Sequence, residues 1–162
     1  MQLDTITELL QIPGYKVRHM VSCTGNRIEL LLEREGERAR VCSGCGKVHT
    51  TAVHSEGSVL LEDLPISGKR VYLHVPKRKA VCPEDGSIRV EELKWVRGRF
   101  TKRFADQVYR LTAITTNKEA GWFLGIDDET VYRLDKGMLE ELALEKIEKV
   151  KSPRHMSVDE VA

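Results

Sequence analysis

No apolar run in the chain approaches 18 residues, which excludes a membrane-spanning helix. Its opening, Met1-Gln2-Leu3-Asp4, lacks the basic-then-apolar layout of a signal peptide, so a cytoplasmic protein is expected. Aromatic residues are scarce, at 6%, whereas charged residues make up 31%. That balance suits small helical or mixed domains. Cysteine is also rare, with four in 162 residues. In a reducing compartment four cysteines serve as ligands or core thiols rather than disulfides. The length allows one or two small domains with a true core.

What is present is unevenly placed. The net charge is only +1, yet residues 65–103 hold 11 Lys and Arg against 4 Asp and Glu. A basic middle in a near-neutral chain points to a local polyanion-binding face. A solvated surface is the plainer alternative.

Two of the cysteines stand at Cys42-Ser43-Gly44-Cys45-Gly46, a spacing that aims both sulfurs at one point and supplies half of a tetrahedral metal site. Cys82-Pro83-Glu84-Asp85-Gly86 repeats the shape, with Asp85 where the second cysteine would stand. Cys42, Cys45 and Cys82 are therefore expected to bind one structural Zn2+, and Asp85 is placed first as the fourth ligand. His49 and His54 are the alternatives, as are a site with no fourth protein ligand and one that has lost its metal. Structural zinc sites mostly use sulfur and nitrogen. Cys23 lies at a turn without a CxxC partner and reads as an ordinary thiol.

In chain order, residues 4–11 read as a short helix capped by Asp4, with Ile6, Leu9 and Leu10 on one face. Residues 15–21 and 27–33 read as two strands joined by a Gly25-Asn26 turn. Val59 to Leu64 is apolar, and Pro65 to Gly68 turns the chain. Val71, Leu73 and Val75 alternate as a half-buried strand that Pro76 is expected to interrupt. Lys77-Arg78-Lys79 then approaches Cys82 as a phosphate-contacting triplet. Arg97 and Arg99, set between Trp95 and Phe100, could lie along a phosphate backbone.

From Thr101 the spacing becomes helical. Phe104, Val108 and Leu111 share a face, with Thr101 as cap and Lys102 and Arg103 exposed. Thr116-Asn117 caps a second helix from Lys118 to Leu124, Gly125-Ile126 turns the chain, and Asp127 or Asp128 caps a third. Short helix, glycine turn, acidic cap and Thr130-Val131-Tyr132-Arg133 together follow helix-turn-helix grammar. Asp128, Glu129, Thr130, Tyr132 and Arg133 would face the major groove, with Lys136 toward phosphate, and Lys102, Arg103 and Lys118 are further expected DNA contacts. Residues 139–150 extend this helix with an apolar stripe suited to packing or to a homodimer.

These motifs, in this order, resemble the ISL-three family of insertion-sequence transposases. The residues that carry the resemblance are Cys42-x2-Cys45, Asp63-Leu64-Pro65 with Gly68-Lys69, the basic approach to Cys82-Pro83, Arg99-Phe100-Thr101, Thr130 to Arg133, and Ser157-Val158-Asp159-Glu160. The resemblance implies a DDE transposase that cuts and joins double-stranded DNA at the inverted repeats of its element. It would use Mg2+ or Mn2+ held by three carboxylates, of which Asp159 matches the first. Asp85 departs from the family pattern, which usually has a fourth cysteine there.

The expected fold class is α+β. A β-rich zinc-finger domain spans residues 1–98 and an all-α helix-turn-helix domain spans 99–151. Residues 152–162 open a catalytic domain whose remaining carboxylates are not in the sequence, so this chain is expected to bind DNA without cutting it. The competing readings are a stand-alone DNA-binding regulator or domesticated transposase remnant, and a zinc-ribbon protein-interaction module.

Overall fold

The computed structural model describes residues 3–36, 40–50 and 52–149. The chain divides into two compact units, Met1–Phe104 and Ala105–Ala162. The fold is mixed: the first unit is mostly β, and the second is helical in its described part.

The first unit opens with α1 (Leu3–Leu10), which buries Ile6 and Leu10. Thr7 ties it to the sheet, its hydroxyl accepting from the Val17 amide at 2.9 Å. β1 (Tyr15–Thr24) and β2 (Arg27–Arg34) form an antiparallel hairpin across Gly25-Asn26. β2 buries every second side chain, namely Ile28, Leu30 and Leu32, the period-2 pattern of a strand with one face in a core.

The long hairpin of β5 (Val53–Ile66) and β6 (Lys69–Val81) organises the unit. Its two-residue turn, Ser67-Gly68, has both residues at positive φ, 51° and 76°. Such turns match the twist of the flanking strands. From Arg70 to His74, β6 runs parallel to β2. Leu61, Val71, Leu73 and Val75 are fully buried there, packed with Leu30, Leu32, Ile6 and Leu10. Each such side chain contributes about 1.5–3 kcal/mol when removed from water.

β6 does not stop at Pro76. It continues to Val81 and pairs with β7 (Ile88–Glu92), which pairs with β3 (Arg40–Cys42), which pairs with β4 (Val48–His49). The proline is tolerated because it falls where β6 changes neighbours. Pairing with β2 ends at His74, and pairing with β7 begins at Lys79. The Pro76 carbonyl accepts from the Tyr15 hydroxyl at 3.2 Å and from Arg34 at 2.9 Å. A residue's N–H and C=O leave a strand on the same side, so the missing N–H faces this gap and breaks no ladder. β5 likewise starts at Val53, six residues before the apolar stretch, because it follows β6 outward.

At the other end of the hairpin lie β8 (Val96–Arg97) and β9 (Phe100–Thr101). Asp63, 1% exposed, accepts from the Thr101 hydroxyl at 2.7 Å and from the Arg103 guanidinium. Arg103 also donates to the Leu10 carbonyl.

α2 (Lys102–Thr112) leads into the second unit, followed by α3 (Asn117–Leu124) and α4 (Asp128–Lys149). Thr116 and Glu119 form a reciprocal capping box at the start of α3. Gly125 ends α3 in the left-handed conformation, at φ 71°. The turn is tight. A Cβ on Gly121 would lie 2.7 Å from the Ile126 carbonyl oxygen, so Gly121 is the residue that the close approach requires. Asp127 caps α4 by accepting from the Thr130 amide at 2.7 Å and its hydroxyl at 2.8 Å. Ala120, Leu124, Val131, Leu134 and Met138 are buried. Beyond Met138, α4 continues without a break, joining the third helix and its apolar extension into 22 residues. Among the described residues, no helix is long and apolar enough to cross a membrane.

Removing the Asp63 carboxylate strands a guanidinium that is two-thirds buried. Asp63→Ala is expected to cost about 2–3 kcal/mol in urea unfolding. The Glu119 carboxyl is held down to about 2 from 4.5, first by the Thr115 hydroxyl and then by the Thr116 amide and hydroxyl. Its folded value is depressed, so its contribution is complete above about pH 4.5 and is lost as pH falls toward 2. Thermal unfolding followed across that window should show a decline that Glu119→Gln reduces.

Candidate metal centre and basic surface

Both knuckles are the same turn. In the first, the Cys42 amide donates to the Lys47 carbonyl at 2.9 Å, and the Gly46 amide donates back to Cys42 at 2.9 Å. In the second, Cys82 and Ser87 pair at 2.8 Å, and Gly86 returns to Cys82 at 2.8 Å. Gly46 and Gly86 share the same left-handed backbone, at φ 69° and 70°. β3 carries the first knuckle and β6 the second, with β7 between them in the sheet. Thirty-six residues of chain separate Cys45 from Cys82, yet the strand pairing brings their sulfurs to 3.8 Å.

Four donor atoms gather there: the sulfurs of Cys42, Cys45 and Cys82 and a ring nitrogen of His49, all within 4.8 Å of one another. His49 Nε2 lies 2.9 Å from the Cys45 sulfur and 3.9 Å from that of Cys82. Zinc–sulfur bonds of about 2.3 Å in a tetrahedron place two sulfurs about 3.8 Å apart. The Cys45–Cys82 separation matches that edge, and three thiolates with one imidazole form a usual structural-zinc donor set. The residues therefore fit a structural zinc. Cys42 and Cys82 are buried, which suits a closed site.

The expected fourth ligand, Asp85, stands outside this group. Its carboxylate closes its own turn, accepting from the Ser87 amide at 2.9 Å and hydroxyl at 2.6 Å, and from Arg89 at 2.8 Å. Those donors hold the carboxyl far below its ordinary range. His54 is exposed on β5 and is not in the group either.

The surroundings of two of the sulfurs pull in opposite directions. Backbone amides of Cys45 and Gly44 pull the Cys42 thiol down from its ordinary value. At Cys82 the Glu84 amide pulls down, but burial and the neighbouring sulfurs push harder and the thiol is raised. A bound cation would favour all three thiolates. Sequence reasoning missed two supports of the site. Lys47 on the first knuckle pairs with Glu84 on the second at 2.9 Å. Arg89 stacks its side chain over Gly44, where a Cβ would meet the Arg89 Nε at 3.0 Å, while its guanidinium holds Asp85.

The basic residues separate by environment. Lys79, Arg99 and Lys118 are exposed, and Lys77, Arg97 and Lys102 are partly so. Arg99 lies over the Phe100 ring at 5.1 Å. Arg78 turns inward: its side chain is 17% exposed and lies 3.5 Å from Glu56. Arg103, expected on the surface, is committed to Asp63 and Leu10 instead. On α4, Asp128, Glu129, Tyr132, Arg133 and Lys136 are exposed. Thr130 is buried, because its hydroxyl completes the Asp127 cap. Asp159 lies outside the described residues.

The comparisons with known proteins agree with this centre. Residues 38–85 match the family model described as the zinc-finger of transposase IS204/IS1001/IS1096/IS1165. The chain is 34% identical over 109 residues to the transposase for insertion sequence element IS1001 from Bordetella parapertussis. That match covers 63% of this chain and 25% of the relative, so the chain spans about a quarter of the relative's length. No solved structure matches.

His49→Ala is expected to lower zinc affinity by at least 10–100-fold, the scale seen for lost supporting residues. Asp85→Ala should retain one zinc per chain. Competition with a chromophoric chelator measures both, and loss of zinc in Asp85→Ala with retention in His49→Ala would reverse the assignment. With the Cys–His centre and both matches in place, the chain is identified as similar to the N-terminal region of ISL-three-family transposases.

Proposed function

We propose that the chain is the DNA-binding region of a bacterial DDE transposase and recognises the terminal inverted repeats of its insertion sequence. The observation that carries this reading is the four-donor centre. It stiffens a basic ribbon within the residues that match a transposase zinc finger. Zinc held by Cys42, Cys45, Cys82 and His49 has a structural role: it fixes two knuckles and the strands between them.

α3, the Gly125 turn and α4 serve as a helix-turn-helix. Gly121 permits its tight crossing, and the Asp127 cap sets the first turn of α4. Arg133 and Tyr132 read base edges from the exposed face, while Lys118 and Lys136 meet phosphates. Asp128 and Glu129 accept from cytosine amino groups, the contact that carboxylates make in the major groove. Two modules on one chain reinforce each other through effective concentration.

A second reading has its own support. Trp122 and Phe123, consecutive on α3, are 85% and 68% exposed, a combination that protein contacts commonly cover. It treats the chain as a protein-interaction module.

Selection from a random duplex DNA pool separates the two. An enriched motif, with Arg133→Ala losing about 1–3 kcal/mol of preference at one position, is the expected outcome. No enrichment and no salt-dependent binding would favour protein interaction.

A further inference from the structure

We infer that one face of the β5–β6 ribbon, carrying Lys77 and Lys79 opposite Gly57 and Ser55, is a rail for a single DNA phosphate backbone. The inference rests on the DNA-binding reading above and specifies the surface that carries its sequence-independent part.

The triplet Lys77-Arg78-Lys79 lies on a strand, so its members alternate between faces. Arg78 lies on the side where Glu56, Arg34 and Glu91 also meet. Arg78 is 3.5 Å from Glu56, its amide donates to Glu91 at 2.8 Å, and Arg34 pairs with both carboxylates. Positive and negative groups there neutralise one another. Lys77 and Lys79 share the opposite face, the continuation beyond Pro76 of the face that carries Val71, Leu73 and Val75, and neither has an acidic partner among the described residues. The acidic residue of the facing strand, Glu56, is directly opposite Arg78 and shares its side.

What faces the two lysines is small. Lys77 is opposite Gly57 and Lys79 is opposite Ser55. A Cβ on Gly57 would meet nothing within 4 Å, so the surface over it is open. The two lysines leave the strand about 6.6 Å apart, a spacing from which their ammonium groups can reach two neighbouring phosphates. Gly57 and Ser55 leave room for a sugar-phosphate chain to lie against the ribbon, and the Ser55 hydroxyl can donate to a phosphate oxygen. Among the described residues, β5 has no strand neighbour beyond it from Val53 to Ser58, so no described strand covers this approach. Pairing of Lys79 with Val90 and of Val81 with Ile88 ties the rail to the metal-bearing strands.

The test is titration of a random-sequence duplex at several salt concentrations, using the full chain loaded with zinc. The variants are Lys77→Gln/Lys79→Gln, Ser55→Glu, and Lys16→Gln as a charge removed from β1. Zinc content and thermal melting confirm that each is folded. Two lost phosphate contacts should make the slope of log K against log salt shallower by about 1.8. Ser55→Glu should weaken binding, and Lys16→Gln should leave the slope unchanged. If the parent chain binds with a steep salt slope and the double variant keeps it, the rail is overturned while DNA binding stands. If the parent chain shows no salt-dependent binding, the functional reading falls with it.

Discussion

The first unit depends on β6, a single strand that runs through two environments. Up to Val75 the strand fills a core with Val71, Leu73 and Val75, fully removed from water. Past Pro76 it carries Lys77, Arg78 and Lys79, and Cys82 follows directly after its last residue, Val81. The same backbone thus links the hydrophobic assembly to the metal centre. The buried half supplies the stability, and the distal half, largely exposed on β5, holds its geometry through pairing with β7 and through the knuckles.

The two knuckles show how similar backbones acquire different chemistry. Each has the same pair of hydrogen bonds and the same left-handed glycine. In the first, the residue before the glycine is Cys45, which turns its sulfur to the centre. In the second it is Asp85, and a nearby hydroxyl, amide and guanidinium satisfy it locally. The vacated ligand position is taken from the other side of the turn, by His49 on β4. The site remains four-donor because the strand bearing the first knuckle returns through β4, placing an imidazole beside Cys45.

Features governed by near neighbours were legible in the sequence. Thr116 and Asp127 mark helix starts, and Gly125 marks a stop, since caps depend on residues three or four apart. Asp4, expected to cap the first helix, lies instead within its first turn, because α1 already begins at Leu3. The Cys42, Cys45 and Cys82 grouping also followed from spacing. Features set by distant pairing were not. Polar residues 53–58 gave no strand signal, because their partner is β6 rather than a core. Pro76 argued for a break, because nothing local shows a gap between β2 and β7. For Asp85, symmetry with Cys45 outweighed a local signal that was present: Asp followed by Gly-Ser, the pattern of a side chain that closes its own turn. Thr130 and Arg103 were placed on the surface by residue type, whereas the Asp127 cap and buried Asp63 draw them in.

The 36-residue separation of the cysteines has a consequence for the order of assembly. Cys45 and His49 are near in sequence and can meet early, but Cys82 reaches them only after β6 has paired with β5 and β7. A slip of one residue in that pairing would turn Cys82 to the opposite face of the ribbon, away from the other three donors. The full four-donor set exists only in the correctly paired hairpin, so an ion bound there would favour the native register over its slipped neighbours.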